Sequence, residues 1–285
     1  MQAEAKLVQT NSGPGSARNI FAFLILAFLF SWTLWVMAIL QGSSTAFPLT
    51  NFFYVAGVFG PSVAGAIMVS LVYSPSKRDT FLRRIYSVPE EGLRPVAISV
   101  IMVPTLVFLA RITSGILGLG NPVALLGDLV GASPTNLVRI LFFTLLLGPV
   151  SEEPGWRGFL TDSLAGRFAF SKTAGLTGLV WGIWHLPLFF IPGSGQHAMG
   201  LFTLGFFVFF ATPVVFSFLL LILYLRTGGS IAAAILVHFS INLSLVVFPL
   251  NSAGYGIFTL FLAGFVLLLY RANLCPGKSF CSCAM

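Results

Sequence analysis

Long unbroken apolar runs separated by short polar stretches dominate this chain, as in FAFLILAFLFSWTLWVMAIL over residues 21–40. The runs are about 20 residues long, the length a helix needs to cross a bilayer. Eight spans are predicted, over 20–41, 51–73, 95–119, 136–156, 173–192, 201–225, 230–249 and 252–270. Barrel strands would alternate apolar with polar residues and be about half as long. The pattern therefore predicts an all-α membrane protein, a polytopic bundle of about eight transmembrane helices with both termini cytoplasmic.

Composition leads the same way. Charged residues make up 8% of the chain and mean hydropathy is +0.96, whereas a soluble domain carries about 25% charged residues. Too few polar side chains exist to cover a surface facing water. The basic residues then orient the bundle, because Lys and Arg favour cytoplasmic loops. With the N-terminus inside, the inner segments 1–19, 74–94, 157–172, 226–229 and 271–285 hold all but two of the fifteen Lys and Arg residues. The exceptions, Arg111 and Arg139, fall toward the outer interface, where their charges can snorkel to water. The formal charge of +7 thus reads as topology, with no nucleic-acid partner implied. The partner expected from composition is membrane lipid; the sequence leaves the oligomeric state open. The expected location is multi-pass in the plasma membrane.

The polar Gly/Ser/Pro-containing residues 1–19 read as a flexible cytoplasmic tail, with N-terminal spans over 20–134, a core over 135–250 and a last span and tail over 251–285. Within loop 74–94, FLRRIY reads either as a short amphipathic helix on the membrane surface or as a solvated loop. Cys275, Cys281 and Cys283 lie in the inner tail, where disulfides are not expected. The CSCAM ending lacks the cysteine four from the end that prenylation requires; Ser282 stands there.

Polar residues inside apolar spans are costly and therefore informative. Three groups stand out: Glu152, Glu153 and Arg157 in SEEPGWRGFL; His185 in LVWGIWHLPLFF; and His238 with Asn242 in AAILVHFSINLS. Helical neighbours diverge by about 100°, so the two glutamates cannot share a target. Glu153 precedes Arg157 by four residues, the favourable order for a same-face pair, which leaves Glu152 free. Pro154 and Gly155 bend or end the helix there. Gly175, Gly178, Gly182 and His185 share one face, a stripe of small residues of the kind that lets helices approach. His238 and Asn242 lie one turn apart on a face with Ser230 and Ala234. An interfacial charge cluster, and hydrogen bonds that merely pack helices, are the structural alternatives. His197 falls in an outer loop.

Glu152 is expected near the cytoplasmic end of span 4, with His185 about 18 Å and His238 about 12 Å from that face at 1.5 Å per residue. They would meet in one chamber open to the cytosol if residues 150–158 dip inward. A carboxylate and an imidazole can activate water, while a second imidazole and an amide steady an oxyanion. Equally, Glu152, His185 and His238 could ligate a catalytic Zn2+ with a position open for water.

The set E-E-x-x-x-R (Glu152, Glu153, Arg157), W-G-I-W-H ending at His185, and H-x-x-x-N (His238, Asn242) resembles the CAAX prenyl endopeptidases and, more broadly, the family of CAAX proteases and bacteriocin-processing enzymes. The resemblance covers about residues 135–250. It implies an intramembrane endopeptidase acting on a peptide or lipidated protein, in which Glu152 and His185 activate water, His238 and Asn242 stabilise the transition state, and Glu153 and Arg157 support them. It leaves open whether Zn2+ or the glutamate alone does the chemistry, and whether the substrate is prenylated. A membrane scaffold or bacteriocin self-immunity protein is a second function class, and a transporter a third. Against the transporter, no inverted repeat is visible and the polar groups gather in one half of the chain.

Overall fold

The computed structural model describes residues 15–120 and 133–274. Most of the expected N-terminal tail and of the loop before residue 134, and all three cysteines, lie outside the described residues. Among those described, every regular element is helical. Helix α1 spans Ala17–Leu40. Helices α2 (Pro48–Gly57) and α3 (Gly60–Val72) form one apolar pair bent by 42°. Helix α4 (Pro75–Tyr86) lies between bundle helices, and α5 spans Glu90–Ile116. Helix α6 runs over Pro134–Ala165, α7 over Phe170–Trp184, and α8 over Gly195–Met199. Helices α9 (Leu204–Arg226), α10 (Ile231–Val247) and α11 (Ser252–Leu274) complete the bundle.

Six of these helices are long and apolar enough to cross a membrane, and the bent α2–α3 pair makes a seventh. Helix α10, with 17 residues, is shorter. The eight apolar runs are thus all helical, but not all are continuous spans. The α2–α3 bend falls at Val58–Phe59, next to Gly60 and Pro61, where proline removes a backbone donor. Large apolar side chains face outward along the bundle, among them Leu71, Ile116 and Leu260, as a lipid solvent permits.

One expected boundary needs correction. Residues 157–172 are not an inner loop from their start: α6 continues to Ala165, and Arg157 is buried at 1% exposure. Its charge is matched inside the protein, so it does not mark water. Span 5 runs over Phe170–Phe190, close to its expected bounds, with its regular α-helical part ending at Trp184. Pro187 cannot donate to the carbonyl one turn back, and the chain tightens into a 3-10 turn over Leu186–Phe190.

Successive helices run up and down, and hydrogen bonds stitch each end. At the basic end, Ser230 Oγ donates to the Ser87 carbonyl at 2.6 Å and Arg167 Nη1 to the Gly15 carbonyl at 3.0 Å. At the opposite end, Thr45 N–H donates to the Pro192 carbonyl at 2.9 Å and Asn251 Nδ2 to the Leu119 carbonyl at 2.6 Å. Arg111 reaches the Pro249 carbonyl there.

Close approach depends on glycine at two contacts. A Cβ on Gly155 would stand 2.1 Å from the Pro61 carbonyl oxygen, so α6 touches the backbone of α3 only with glycine there. A Cβ on Gly178 would lie 2.4 Å from Val214 Cα, which brings α7 against α9. Gly175, expected on the same stripe, meets nothing within 4 Å.

Candidate active site

Helix α6 carries the first motif and is not regular. At Leu147 and Gly148 its dihedral angles leave the helical region, with φ +141° at Gly148. That value lies in a region L side chains rarely adopt, so glycine makes the break affordable. Ser151 Oγ secures it, accepting from Gly148 N–H at 3.0 Å. Beyond the break the helix restarts, and Glu152 and Glu153 occupy its first turn. Pro154 sits early enough in this turn to be tolerated.

The glutamates diverge as expected. Glu152, 5% exposed, faces a cavity of about 250 Å³. Its Oε2 accepts from Trp181 Nε1 at 2.6 Å. Glu153 points away from solvent. Its Oε1 accepts from Arg157 Nη1 at 3.1 Å and pairs with His238 Nδ1 at 2.7 Å. Glu153 therefore does more than pair with Arg157: it joins the first motif to the third. Arg157 also donates to Ser217 Oγ at 3.2 Å, and its guanidinium lies 4.3 Å from the Trp181 ring centroid.

His185 sits at the C-terminal cap of α7, where Nδ1 meets the Trp181 carbonyl at 2.8 Å. A carbonyl only accepts, so Nδ1 is the donor and Nε2 keeps its lone pair. His238 and Asn242, on α10, converge with Glu152 around Gly148. A Cβ placed there would lie 2.7 Å from Asn242 Nδ2, 3.7 Å from His238 Nε2 and 3.8 Å from Glu152 Oε1. All four residues (Glu152, His185, His238 and Asn242) line the same cavity. His197 does not line it; its Nδ1 meets the Phe189 carbonyl at 3.0 Å.

Trp181, Gly148 and Ser217 complete the site. Trp181 opens the W-G-I-W-H motif, but the sequence gives it no role beyond that of an aromatic residue four before His185; Gly148 and Ser217 do not stand out. The rest of the cavity wall is mainly aromatic and aliphatic, including Trp184, Leu188, Phe209, Phe216 and Leu245.

Among the described residues, no three His, Cys, Asp or Glu side chains are grouped so as to hold a metal ion. His238 Nδ1 is engaged by Glu153 and His185 Nδ1 by the Trp181 carbonyl, which leaves each imidazole its Nε2. Metal-binding histidines are commonly held in this way, with the other ring nitrogen on a carboxylate or a carbonyl.

Only Glu152 lies deeper than expected. It stands 13 residues before the end of α6 at Ala165, about 20 Å along the helix, close to the depth expected for His185, so residues 150–158 do lie inward as the convergence requires.

Comparison with known proteins bears on this constellation. Residues 134–244 match a family model described as "Type II CAAX prenyl endopeptidase Rce1-like". Over 253 residues the chain is 26% identical to a protein named CAAX prenyl protease 2 from Methanococcus maripaludis, covering 87% of this chain and 92% of that relative. The matched segment contains Glu152, Glu153, Arg157, His185, His238 and Asn242. Residues 134–244 thus resemble the Rce1-like, type II CAAX prenyl endopeptidases, in agreement with the motifs they carry.

Proposed function

We propose that this protein hydrolyses a peptide bond in a membrane-associated protein or peptide, with Glu152 as general base and acid. The observation carrying this reading is the convergence of Glu152 Oε1, His238 Nε2 and Asn242 Nδ2 on one point beside Gly148. Glu152 takes a proton from water, and the resulting hydroxide attacks the scissile carbonyl carbon. The protonated Glu152 then delivers that proton to the leaving amide nitrogen as the C–N bond breaks. His185, with its Nε2 lone pair toward the cavity, accepts a hydrogen bond from the water and orients it. Asn242 Nδ2 donates to the oxyanion. His238 Nε2 can donate only from the imidazolium, a form that the Glu153 carboxylate supports from Nδ1, as the acidic member of a hydrolase triad supports its histidine. Trp181 fixes the Glu152 carboxylate, and Arg157 balances Glu153.

The aromatic and aliphatic wall suits apolar side chains flanking the scissile bond. C-terminal CAAX-type processing is the substrate reading that the family resemblance brings. No step above passes through a metal. A zinc mechanism would require Glu152, His185 and His238 to draw together, and metal analysis of the purified protein with chelator titration of its activity decides between the two.

The test of function compares cleavage of prenylated and unprenylated peptide libraries by the native protein, Glu152→Ala and His238→Ala, read by mass spectrometry. Cleavage is expected from the native protein alone, with losses of at least 100-fold in both variants. Equal cleavage by all three proteins would remove the assignment. A biological effect that survives Glu152→Gln would favour the scaffold or self-immunity reading.

A further inference from the structure

Part of the cavity wall carries none of the three motifs. Tyr54, on α2, lines the cavity together with Glu152, His185, His238 and Asn242, and it lies outside the matched segment 134–244.

Contacts to the helices of both Glu152 and His185 hold this part of the wall. Trp35 Nε1 donates to the Tyr54 carbonyl at 3.0 Å. The Trp35 ring, fully buried, packs at 4.6 Å between centroids on Trp184, the neighbour of His185. Trp32 Nε1 donates to the Trp184 carbonyl at 3.0 Å. Helix α2 comes this close to α1 at a glycine: a Cβ on Gly57 would stand 2.3 Å from Trp35 Nε1. On the α6 side, Ser62 Oγ of α3 donates to the Val150 carbonyl at 3.3 Å, just before Glu152. A Cβ on Gly65 would lie 3.0 Å from Gly155 Cα, so the α2–α3 pair is pressed against the helix that carries Glu152.

The Tyr54 phenol itself is uncommitted. Among the described residues none forms a hydrogen bond with it, while the charge of Glu152 reaches it. Other polar groups of the wall are engaged within the protein: Thr212 Oγ1 lies 2.9 Å from the Val208 carbonyl and 2.7 Å from Thr259 Oγ1. Gln196 is free as well, but it stands on the five-residue α8. Glu152 does not need the phenol. Its Oε2 is held by Trp181, and its Oε1 turns toward Asn242 and His238.

A peptide entering the cavity brings one carbonyl with every residue, and the aromatic and aliphatic wall offers few donors. A carbonyl left unpaired out of water is costly, so a free O–H on a well-held helix is a binding group. Asn242 and His238 take the scissile carbonyl. We propose that Tyr54 Oη donates to a second main-chain carbonyl of the substrate, beside the scissile bond, and so holds the peptide in register for attack. The inference rests on the endopeptidase reading and deepens it. Tyr54 binds, and no proton is transferred through it.

Tyr54→Phe removes the hydroxyl and keeps the ring. With a peptide that the native protein cleaves, KM should rise about three- to tenfold, the worth of one hydrogen bond, with kcat within about twofold and the pH profile unmoved. A fall in kcat at constant KM would place the phenol on Glu152 or on the water and overturn the proposal, as would unchanged kinetics. Peptides with a single amide replaced by an ester near the scissile bond locate the acceptor, because an ester carbonyl accepts more weakly. One such ester should weaken cleavage by the native protein and leave Tyr54→Phe unaffected; equal losses at every position would overturn the proposal. Binding read without turnover separates this inference from the proposed function. A fluorescein-labelled prenylated CAAX-type peptide should bind Glu152→Gln at least about threefold more tightly than Glu152→Gln combined with Tyr54→Phe. Equal affinities, or binding by neither, would overturn the assignment of Tyr54. Cleavage surviving in Glu152→Ala would strike the proposed function and leave the binding result standing.

Discussion

At the scale of single residues, Trp181 ties the three motifs together. Its indole N–H holds Glu152, its carbonyl holds His185, and its ring packs against Arg157 and, at 5.2 Å between centroids, against His238. Trp181→Phe keeps the carbonyl and most of the ring but removes the N–H. A hydrogen bond to a charged group contributes about 1.5–3 kcal/mol, and each 1.36 kcal/mol is about tenfold in rate. The expected result is a fall of about 10- to 100-fold in kcat with KM within about twofold. A rise in KM at constant kcat would instead mark Trp181 as part of the substrate wall. The indole N–H is invisible in the sequence because tryptophan counts as apolar there. Glu152, His185, His238 and Asn242 were legible for the opposite reason: in spans this apolar, any polar residue stands out.

At the scale of elements, α6 separates what the sequence tells from what it hides. Its apolar first half and acidic motif were legible, but its end was not. Its pairing with Glu153 was legible, yet Arg157 looked like the start of a loop, since a charge at the end of a span would belong at the water interface. Ser217 and Trp181 supply its further partners inside the bundle, and only a three-dimensional arrangement reveals them. The break at Gly148 was hidden as well, because a glycine and a proline at 148–149 fit a kink, a cap or a plain helix equally. Gly155 tests how far the site depends on α3 pressing against α6. Its own backbone is helical, so a substitution there acts through the collision with Pro61 alone. Gly155→Ala and Gly155→Val should lower stability in increasing order. Overpacking of this kind costs roughly 1–3 kcal/mol, read as a falling thermal midpoint in detergent. A midpoint unchanged in Gly155→Val would show that the α3–α6 contact contributes little.

At the scale of the whole molecule, a cluster around Asp162 fastens the basic end, joining the end of α3, helices α4, α6 and α9, and the connection before α10. Asp162 accepts from Arg84 Nη1 and Nη2 at 2.8 and 3.0 Å, from Tyr73 Oη at 3.2 Å and from Tyr224 Oη, and Arg84 also binds the Gly229 carbonyl. The order of helices and the crowding of charge at one end were legible from apolar runs and basic residues, whereas this closure was not. Asp162 falls in segment 157–172 with nothing around it in the sequence to mark its partners. Arg84 shows how firmly the cluster is held: burial disfavours its charge, yet the hydrogen bonds and the charge of Asp162 outweigh this and raise its pKa above the ordinary value. Tyr73 lies just beyond α3. Burial, then the charge of Asp162 and the hydrogen bond to it, push the Tyr73 phenol well above its usual 10.0. The folded protein therefore keeps this proton at a pH where the unfolded chain releases it. Because the unfolded state then binds fewer protons, stability falls as pH rises above about 10. One such group contributes a slope of at most about 1.4 kcal/mol per pH unit. The contribution is fully present below that range, so Tyr73→Phe should be slightly less stable than the native protein at pH 8. It should lose less stability between pH 9 and 11, as read by thermal unfolding in the same detergent. Parallel losses in the two proteins would mean that Tyr73 does not hold its proton for Asp162, and the closure at the basic end would then rest on Arg84 and Tyr224 alone.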